Sequence, residues 1–416
     1  MGNGVMNKKL VSFLVLAVIV IAGGVYWMSA SQEEEVAQEV KIGFLGGFTG
    51  PIESLVPPIF DGARLAVDHV NEQGGILGGL TLTILSGDTA CGDAALTQSA
   101  TDRLVNSENV TAIVGPLCSG ATIAAANNIT VPSGVMLVSP ASTSPAVSDL
   151  DDNDLVFRTV PSDAFQGQAL AQLLLSKGIN DVALAFVNND YGRGLADAFQ
   201  NTFEREGGVV TARAGHEDNR ADYRADLATL SAGGSDTLVV MAYADASGQT
   251  IMRQAAEANL FSQFVGGDGM VGQSLVDAVG ADAMNGTIFT RPGTLDVPGA
   301  DVFRQLAEGT YVNADGTFVA QSYDAAFLIA LAIQHNGNAG RAGLNESLRA
   351  VSTAPGEVIL PGEWEKAVRL LAAGQPINYI GASGEHEFDA RGDVPGAVEE
   401  LVVENGRIVS QGFLSF

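Results

Sequence analysis

Residues 40–45 read Val40-Lys41-Ile42-Gly43-Phe44-Leu45, and Gly46-Gly47-Phe48-Thr49-Gly50-Pro51 follows. Further on comes Ile59 to Asn71, IFDGARLAVDHVN. The first run is apolar at almost every position, as expected of a parallel strand buried on both faces. The second is a turn cluster, since Gly and Pro punctuate regular structure. In the third, Phe60, Ala63, Leu65, Ala66, Val67 and Val70 fall at helical spacing, and Gly74-Gly75 stops the helix. A strand is expected next at Leu80–Leu85. Strand, sharp turn, helix and strand make a βαβ unit, and that unit implies a parallel sheet.

The same rhythm continues outward. Helices are expected at Ala94–Asn106 and Ala121–Asn127, and strands at Ala112–Val114 and Val135–Val138. After Phe157-Arg158-Thr159-Val160-Pro161 a second series begins. Its helices fall at Phe165–Lys177, Gly194–Glu206, Tyr223–Leu230 and Ser247–Ala258. Its strands fall at Asp181–Val187, Val209–Ala214, Thr237–Met241 and Phe264–Gly266. Two series of this kind predict an α/β protein of two doubly wound, Rossmann-like lobes. Long helical stretches at Ala320–His335 and Trp364–Ala373 suggest that the chain then returns to the first lobe.

Bulk properties narrow the function classes. The chain has 416 residues, enough for two lobes of ordinary size, and 50 glycines suit a fold with many strand-to-helix turns. With 48 acidic against 21 basic residues the net charge is −27, which repels phosphate backbones. No basic patch offsets it, so nucleic acid is not an expected partner. Residues 1–31 have the order of an export signal: Lys8 and Lys9, an apolar run from Leu10 to Ala22, then Ser29, Ala30 and Ser31. The apolar stretch runs on through Val25, Tyr26, Trp27 and Met28, and at roughly 18 residues an uncleaved anchor also becomes feasible. Both readings place the rest of the chain outside the cytoplasm, with Lys8 and Lys9 inside. No cysteine near position 30 offers a lipid tether. The two cysteines, Cys91 and Cys118, suggest one disulfide in an oxidising compartment, the alternative being two separate buried thiols.

The sequence lacks the common catalytic signatures. His386-Glu387 has no second histidine at the zinc-protease spacing, Gly381-Ala382-Ser383-Gly384 is not a nucleophile elbow, and the opening glycine turn lacks the Lys-Ser/Thr of a phosphate loop. The acidic run Asp149–Asp154 puts Asp154 where a calcium loop needs Gly and Val160 where it needs Glu. Arg391-Gly392-Asp393 reads as a surface turn. The expectation is a non-catalytic protein with no cofactor and no metal.

Three strand ends carry polar turns, where open α/β sheets bind small molecules. In Gly115-Pro116-Leu117-Cys118-Ser119-Gly120-Ala121-Thr122, Ser119 falls at a helix N-terminus, either as a plain cap or as a donor facing a carboxylate. Ser139-Pro140-Ala141-Ser142-Thr143-Ser144-Pro145 is dense in hydroxyls. Gly266-Gly267-Asp268-Gly269-Met270 presents an acid between glycines, able to approach an ammonium closely or to stand solvated in a loop.

Several motifs in order then resemble one family. They are Gly43 to Pro51, Asp61-Gly62-Ala63, Asn71-Glu72-Gln73-Gly74-Gly75-Ile76, Gly115–Ser119, Ser139–Thr143 and Asn189-Asp190-Tyr191-Gly192. Later come Gly362-Glu363-Trp364-Glu365 and Ile377-Asn378-Tyr379-Ile380-Gly381-Ala382-Ser383-Gly384. Together they resemble branched-chain amino-acid binding proteins, the type I periplasmic binding proteins that serve ABC importers. The likeness runs from Val40 to the C-terminus. It implies two lobes joined by a three-segment hinge, with residues 38–160 and 292–379 in lobe one and 161–291 and 380–416 in lobe two. It implies a Cys91–Cys118 disulfide beside the pocket. Ser119 and Thr143 would hold the ligand carboxylate, the backbone of Ala141 would touch the ligand, and Asp268 would hold the α-ammonium. Tyr191 would reach in from the second lobe, and Leu117, Tyr243 and the disulfide would shape the side-chain pocket. Two positions depart from the leucine-binding pattern. Leu55 stands where an aromatic residue is frequent, and Asp268 where an acid one carbon longer is common; the shorter arm changes its reach or admits a bridging water. The expected function is capture of an amino acid, aliphatic or branched, by lobe closure and delivery to a permease with its ATPase subunits. An amide or urea, or a receptor ectodomain of the same fold, is the alternative. A monomer is expected.

Overall fold

The computed structural model describes residues 39–294 and 296–414; the export or anchor segment read at residues 1–31 lies outside them. Strand β1 (Glu39–Gly46) runs into the turn at Phe48–Gly50, and the helix Val56–Glu72 follows. The next strands are β2 (Thr81–Asp88), β3 (Ala112–Val114), β4 (Met136–Ser139) and β5 (Val156–Arg158). They form a five-stranded sheet in the order β2-β1-β3-β4-β5. The pairs β1/β3, β3/β4 and β4/β5 are parallel. Both faces are covered, which is why β3 and β4 are apolar and buried at nearly every position.

The second sheet holds β6 (Asp181–Val187), β7 (Val209–His216), β8 (Thr237–Met241), β9 (Gln263–Gly266), β10 (Ile288–Gly293), β13 (Ala397–Glu404) and β14 (Arg407–Phe413). Its order is β14-β13-β10-β9-β8-β6-β7. From β7 to β10 it is parallel. The last two strands join antiparallel, β13 to β10 and β14 to β13. That antiparallel edge was not anticipated: the apolar run at Leu401-Val402-Val403 carries no helix partner that would mark it as part of the alternating pattern. A two-stranded sheet pairs β11 (Glu357–Ile359) with β12 (Ile377–Tyr379).

The helix Val319–Asn336 is largely apolar and covered around its whole circumference, and residues Val319 to Ile333 are all buried. It packs against the helix Val56–Glu72, against β3 and β4, and against the helix Leu344–Ser352. The approach to Val56–Glu72 is close enough that a Cβ at Gly62 would lie 2.5 Å from the Val319 carbonyl oxygen. The return of the chain to the first sheet at this helix is therefore as expected.

The chain passes between the two large sheets after Arg158, after Gly293 and after Tyr379. This is the α/β, two-lobed, doubly wound architecture with a three-segment hinge. The third passage is fastened by Asp324, fully buried on the long helix. Its carboxylate accepts from the Tyr379 hydroxyl at 2.7 Å, the Ala382 N–H at 2.8 Å, the Ser383 N–H at 2.7 Å and the Ser383 hydroxyl at 2.6 Å.

Candidate functional site

The C-terminal ends of β3 and β4 open into the turns at Gly115–Cys118 and Pro140–Ser144, and a hub of hydrogen bonds sews them together. The Pro116 carbonyl accepts from Ser139 Oγ at 2.6 Å, Ser142 Oγ at 3.0 Å and Thr122 Oγ1 at 3.0 Å. The first turn can form only with glycine at 115: φ is +95° and a Cβ would stand 2.5 Å from the Leu45 carbonyl oxygen. The hydroxyls of Ser139, Ser142 and Thr122 thus build the scaffold and do not face a ligand. Behind them lies Arg158, wholly buried. Its Nη1 donates to the carbonyls of Ser142, Thr143 and Ser144 at 3.0–3.1 Å, its Nε to Asp393 at 2.6 Å and its Nη2 to Ser148 at 2.6 Å. Asp393, read from sequence as part of a surface turn, is instead the counter-ion of a buried arginine.

Ser119 is the first residue of the helix Ser119–Ala125, and Cys118 holds the cap position. Its hydroxyl does not cap that helix; it accepts the Ser144 N–H at 3.2 Å and keeps its own proton to donate. The first-turn N–H groups of this helix have no partners within it, so this wall offers donors to a negative group.

The facing wall comes from the second sheet. Asp268 opens a short 3-10 turn after β9 and is 3% exposed. It accepts from the Tyr191 hydroxyl and from Gln166 Nε2, both at 3.0 Å. Tyr191 also accepts the Gly269 N–H at 3.0 Å and stacks on Tyr243 with ring centroids 5.3 Å apart. Burial, then the charge of Asp268, pushes the Tyr191 phenol up, so it remains an O–H donor. Burial also raises the Asp268 carboxyl to about 6, against the lowering pull of its hydrogen bonds from Tyr191 and Gln166.

Between these walls is a cavity of about 380 Å³, its open mouth included. Leu55, Leu117, Ser119, Ala141, Tyr191, Tyr243 and Asp268 all line it, together with Cys118. Seven residues from distant parts of the sequence meet in one space. Thr143 is not on this lining: it is fully buried, its hydroxyl has no partner, and its carbonyl takes the Asp163 N–H at 2.7 Å. Ile52, Ile59 and Phe318 complete the apolar side and were missed. As buried apolar residues in a turn, a helix and a helix cap they are indistinguishable from ordinary core residues. Asp163 was missed as well, since an acid in the first turn of a helix needs no function. At the mouth the two sides touch: Asp245, after β8, accepts the Ser54 N–H at 3.0 Å and its hydroxyl at 2.5 Å.

Cys91 and Cys118 form a disulfide, separated by 27 positions. Replacing both with serine is expected to lower unfolding stability by about 3–4 kcal/mol in the chain-entropy account. Urea denaturation of the variant checks this, and wild type in reductant should shift the same way. Among the described residues no group of three or more His, Cys, Asp or Glu could hold a metal ion, and no helix is long and apolar enough to cross a membrane.

Two doubly wound lobes, a three-segment hinge and one cavity between donor and acid walls define a type I periplasmic binding protein. The chain belongs to the receptor family ligand binding region, whose model matches residues 60–402. It is 30% identical over 293 residues to the Leu/Ile/Val-binding protein of Escherichia coli K12, covering 70% of this chain and 78% of that one. Among solved structures it resembles a leucine-binding protein of Thermotoga maritima MSB8, with TM-score 0.76 and 25% identity over 90% of this chain and 99% of that one. It also resembles the branched-chain amino acid transporter substrate-binding protein of Streptococcus pneumoniae in complex with isoleucine, with TM-score 0.73, 26% identity and the same coverage of 90% and 99%.

Proposed function

We propose that this protein captures an aliphatic amino acid between two closing lobes and delivers it to the permease and ATPase subunits of an ABC transporter. One observation carries the reading: a single cavity has hydrogen-bond donors at Ser119 on one wall, a buried acid at Asp268 on the other, and aliphatic side chains between. That is the charge pattern of a zwitterion with an apolar side chain. The names of the relatives from Escherichia coli, Thermotoga maritima and Streptococcus pneumoniae point the same way.

In this reading residues 38–160 and 292–379 form lobe one and residues 161–291 and 380–416 form lobe two, except that residues 380–393 stay bonded to lobe one through Asp324 and Arg158. Ser119 and the first-turn N–H groups of its helix receive the carboxylate, with Thr143 packed behind them rather than on the lining, and Ala141 borders the α-carbon. Asp268 then pairs with the ammonium as the lobes close, while Tyr191 and Tyr243 cover it. Leu55, Leu117 and the Cys91–Cys118 bridge face the ligand side chain. The contacts formed only on closure are what shift the population to the closed state. The protein acts outside the cytoplasm as a monomer, without catalysis.

The test is a thermal-shift screen of amino acids, amides and urea, followed by calorimetry. Leucine, isoleucine or valine at 100 times its Kd should stabilise the folded protein by about 2.7 kcal/mol. A shift with amides or urea and none with any amino acid would sink the reading. Slow turnover of the bound ligand, followed by NMR, would count against a purely binding role.

A further inference from the structure

Next to Asp268 lies a second buried acid. Asp163 begins the helix Asp163–Ser176, directly after the first passage between the sheets, and is 0% exposed. Neither of its carboxylate oxygens makes a hydrogen bond of ordinary geometry, although the Thr143 hydroxyl stands near enough to pull the carboxyl down. Two more buried polar atoms stand unpartnered around it, Gln166 Oε1 and Thr143 Oγ1. An ionised carboxylate fully buried with no hydrogen bond is among the costliest arrangements a protein can hold.

The groups facing it relieve little of that cost. From the turn after β9 comes Asp268, a like charge. Arg158, on β5, is the nearby cation, but its donors are already engaged by Asp393, Ser148 and three backbone carbonyls. Tyr191, on the helix Asp190–Arg205, directs its proton to Asp268. Tyr243, after β8, bonds to Asn189 and sits under the fields of Asp218, Asp268 and Asp163. Burial and then the charge of Asp268 push the Asp163 carboxyl well above the usual carboxylate range, against the weaker lowering pull of the Thr143 hydroxyl and the Arg158 charge.

We infer that Asp163 stands in the site as a neutral carboxylic acid whose proton satisfies an acceptor beside it, leaving Asp268 as the single negative charge presented to the ligand. The inference rests on reading the cavity as an amino-acid site. Asp163 is then a positioning residue. Its O–H donates to Gln166 Oε1 or Thr143 Oγ1, and by fixing the Gln166 amide it orients the Nε2 that holds Asp268 at 3.0 Å. It also sets specificity. One charge on the acid wall matches one ammonium, whereas two ionised acids would suit a dication such as a diamine.

Two measurements decide the matter. The first needs no ligand: infrared difference spectra of empty wild type against Asp163→Asn at neutral pH. A protonated-carboxyl C=O band present in wild type and lost in the variant is expected. Its absence overturns the inference whether or not the protein binds amino acids. A D163N chain that fails to fold would overturn it too, because a neutral amide of the same shape fits where a neutral acid stands. The second is calorimetry with L-leucine from pH about 5 to about 8. Asp163→Ala should weaken binding by about tenfold or more, and Asp163→Asn should recover to within about threefold of wild type, as for a hydrogen bond restored. The loss of affinity on the acid side, set by Asp268, should stay in place in D163N. If D163N binds as poorly as D163A, or loses that acid limb, Asp163 works as a charge and the inference is wrong. If wild type binds no amino acid, the functional reading fails while the infrared result still decides the proton.

Discussion

Asp268→Asn is expected to destroy amino-acid binding while making the empty protein more stable. The first effect follows from the removal of a buried charge from its partner: about 2–5 kcal/mol, or roughly 30- to 4,000-fold in Kd. The second has the opposite sign because the carboxyl is raised from 3.8 to about 6 in the folded chain. A raised acid loses its proton more readily when unfolded. The stability it contributes is therefore fully present below the unfolded value of 3.8 and is lost as pH rises through about 6. A shift of that size corresponds to about 3 kcal/mol of penalty at neutral pH, and an uncharged asparagine removes most of it. Denaturant unfolding of the ligand-free pair at pH about 7 and about 5 checks both halves. The variant should be the more stable at the higher pH, and the gap should narrow to about half at the lower, closing only below the unfolded value of 3.8. The affinity of wild type should fall as pH drops through about 6, where Asp268 takes up its proton. Equal affinity in the variant would remove Asp268 from the site.

Arg158→Met is expected to cost about 3–5 kcal/mol, the magnitude for breaking a buried ion pair and leaving its partner behind. The side chain is 1% exposed and Asp393 18%. Its loss strips the donors from the carbonyls of Ser142, Thr143 and Ser144, so the turn beside Ser119 loosens. Arg158→Lys should recover little, because one ammonium cannot serve Asp393, Ser148 and three carbonyls at once. The urea midpoint measures the cost, and calorimetry with L-leucine should show weaker binding in a chain still folded at low denaturant. An unchanged midpoint would mean the buried network is energetically idle.

How far the sequence was legible follows from which signals are local. Strands Ala112–Val114, Asp181–Val187 and Thr237–Met241 fall where their short apolar runs predict, because a strand covered on both faces has no polar alternation to confuse the reading. The antiparallel pair β13–β14 was not anticipated, for its half-exposed pattern carries charges such as Glu399, Glu400 and Arg407. In the site, Ser119, Leu117, Ala141 and Asp268 stand in turns just beyond strand ends, and that position is itself a signal. Arg158 and Asp163 gave none. One lies within a three-residue strand, the other at a helix start where acids are common, and only the packing reveals that both are buried together. Arg158 and Asp393 are 235 positions apart, a pairing that no spacing rule connects.

The fastening by Asp324 has a consequence for where motion can take place. It anchors Ala382 and Ser383 to the long helix of the first sheet. Further on, Gly392 accepts the Arg158 N–H at 3.0 Å and Asp393 grips the Arg158 side chain at 2.6 Å. That leaves Val394–Gly396 as the free length before β13 begins at Ala397. In the first passage Thr159 is likewise held, its N–H on the Ser139 carbonyl and its hydroxyl on the Gln321 carbonyl at 2.8 Å. In these two passages the unanchored bonds thus lie on the second-sheet side of the hydrogen bonds, just ahead of Asp163 in one and just ahead of Ala397 in the other.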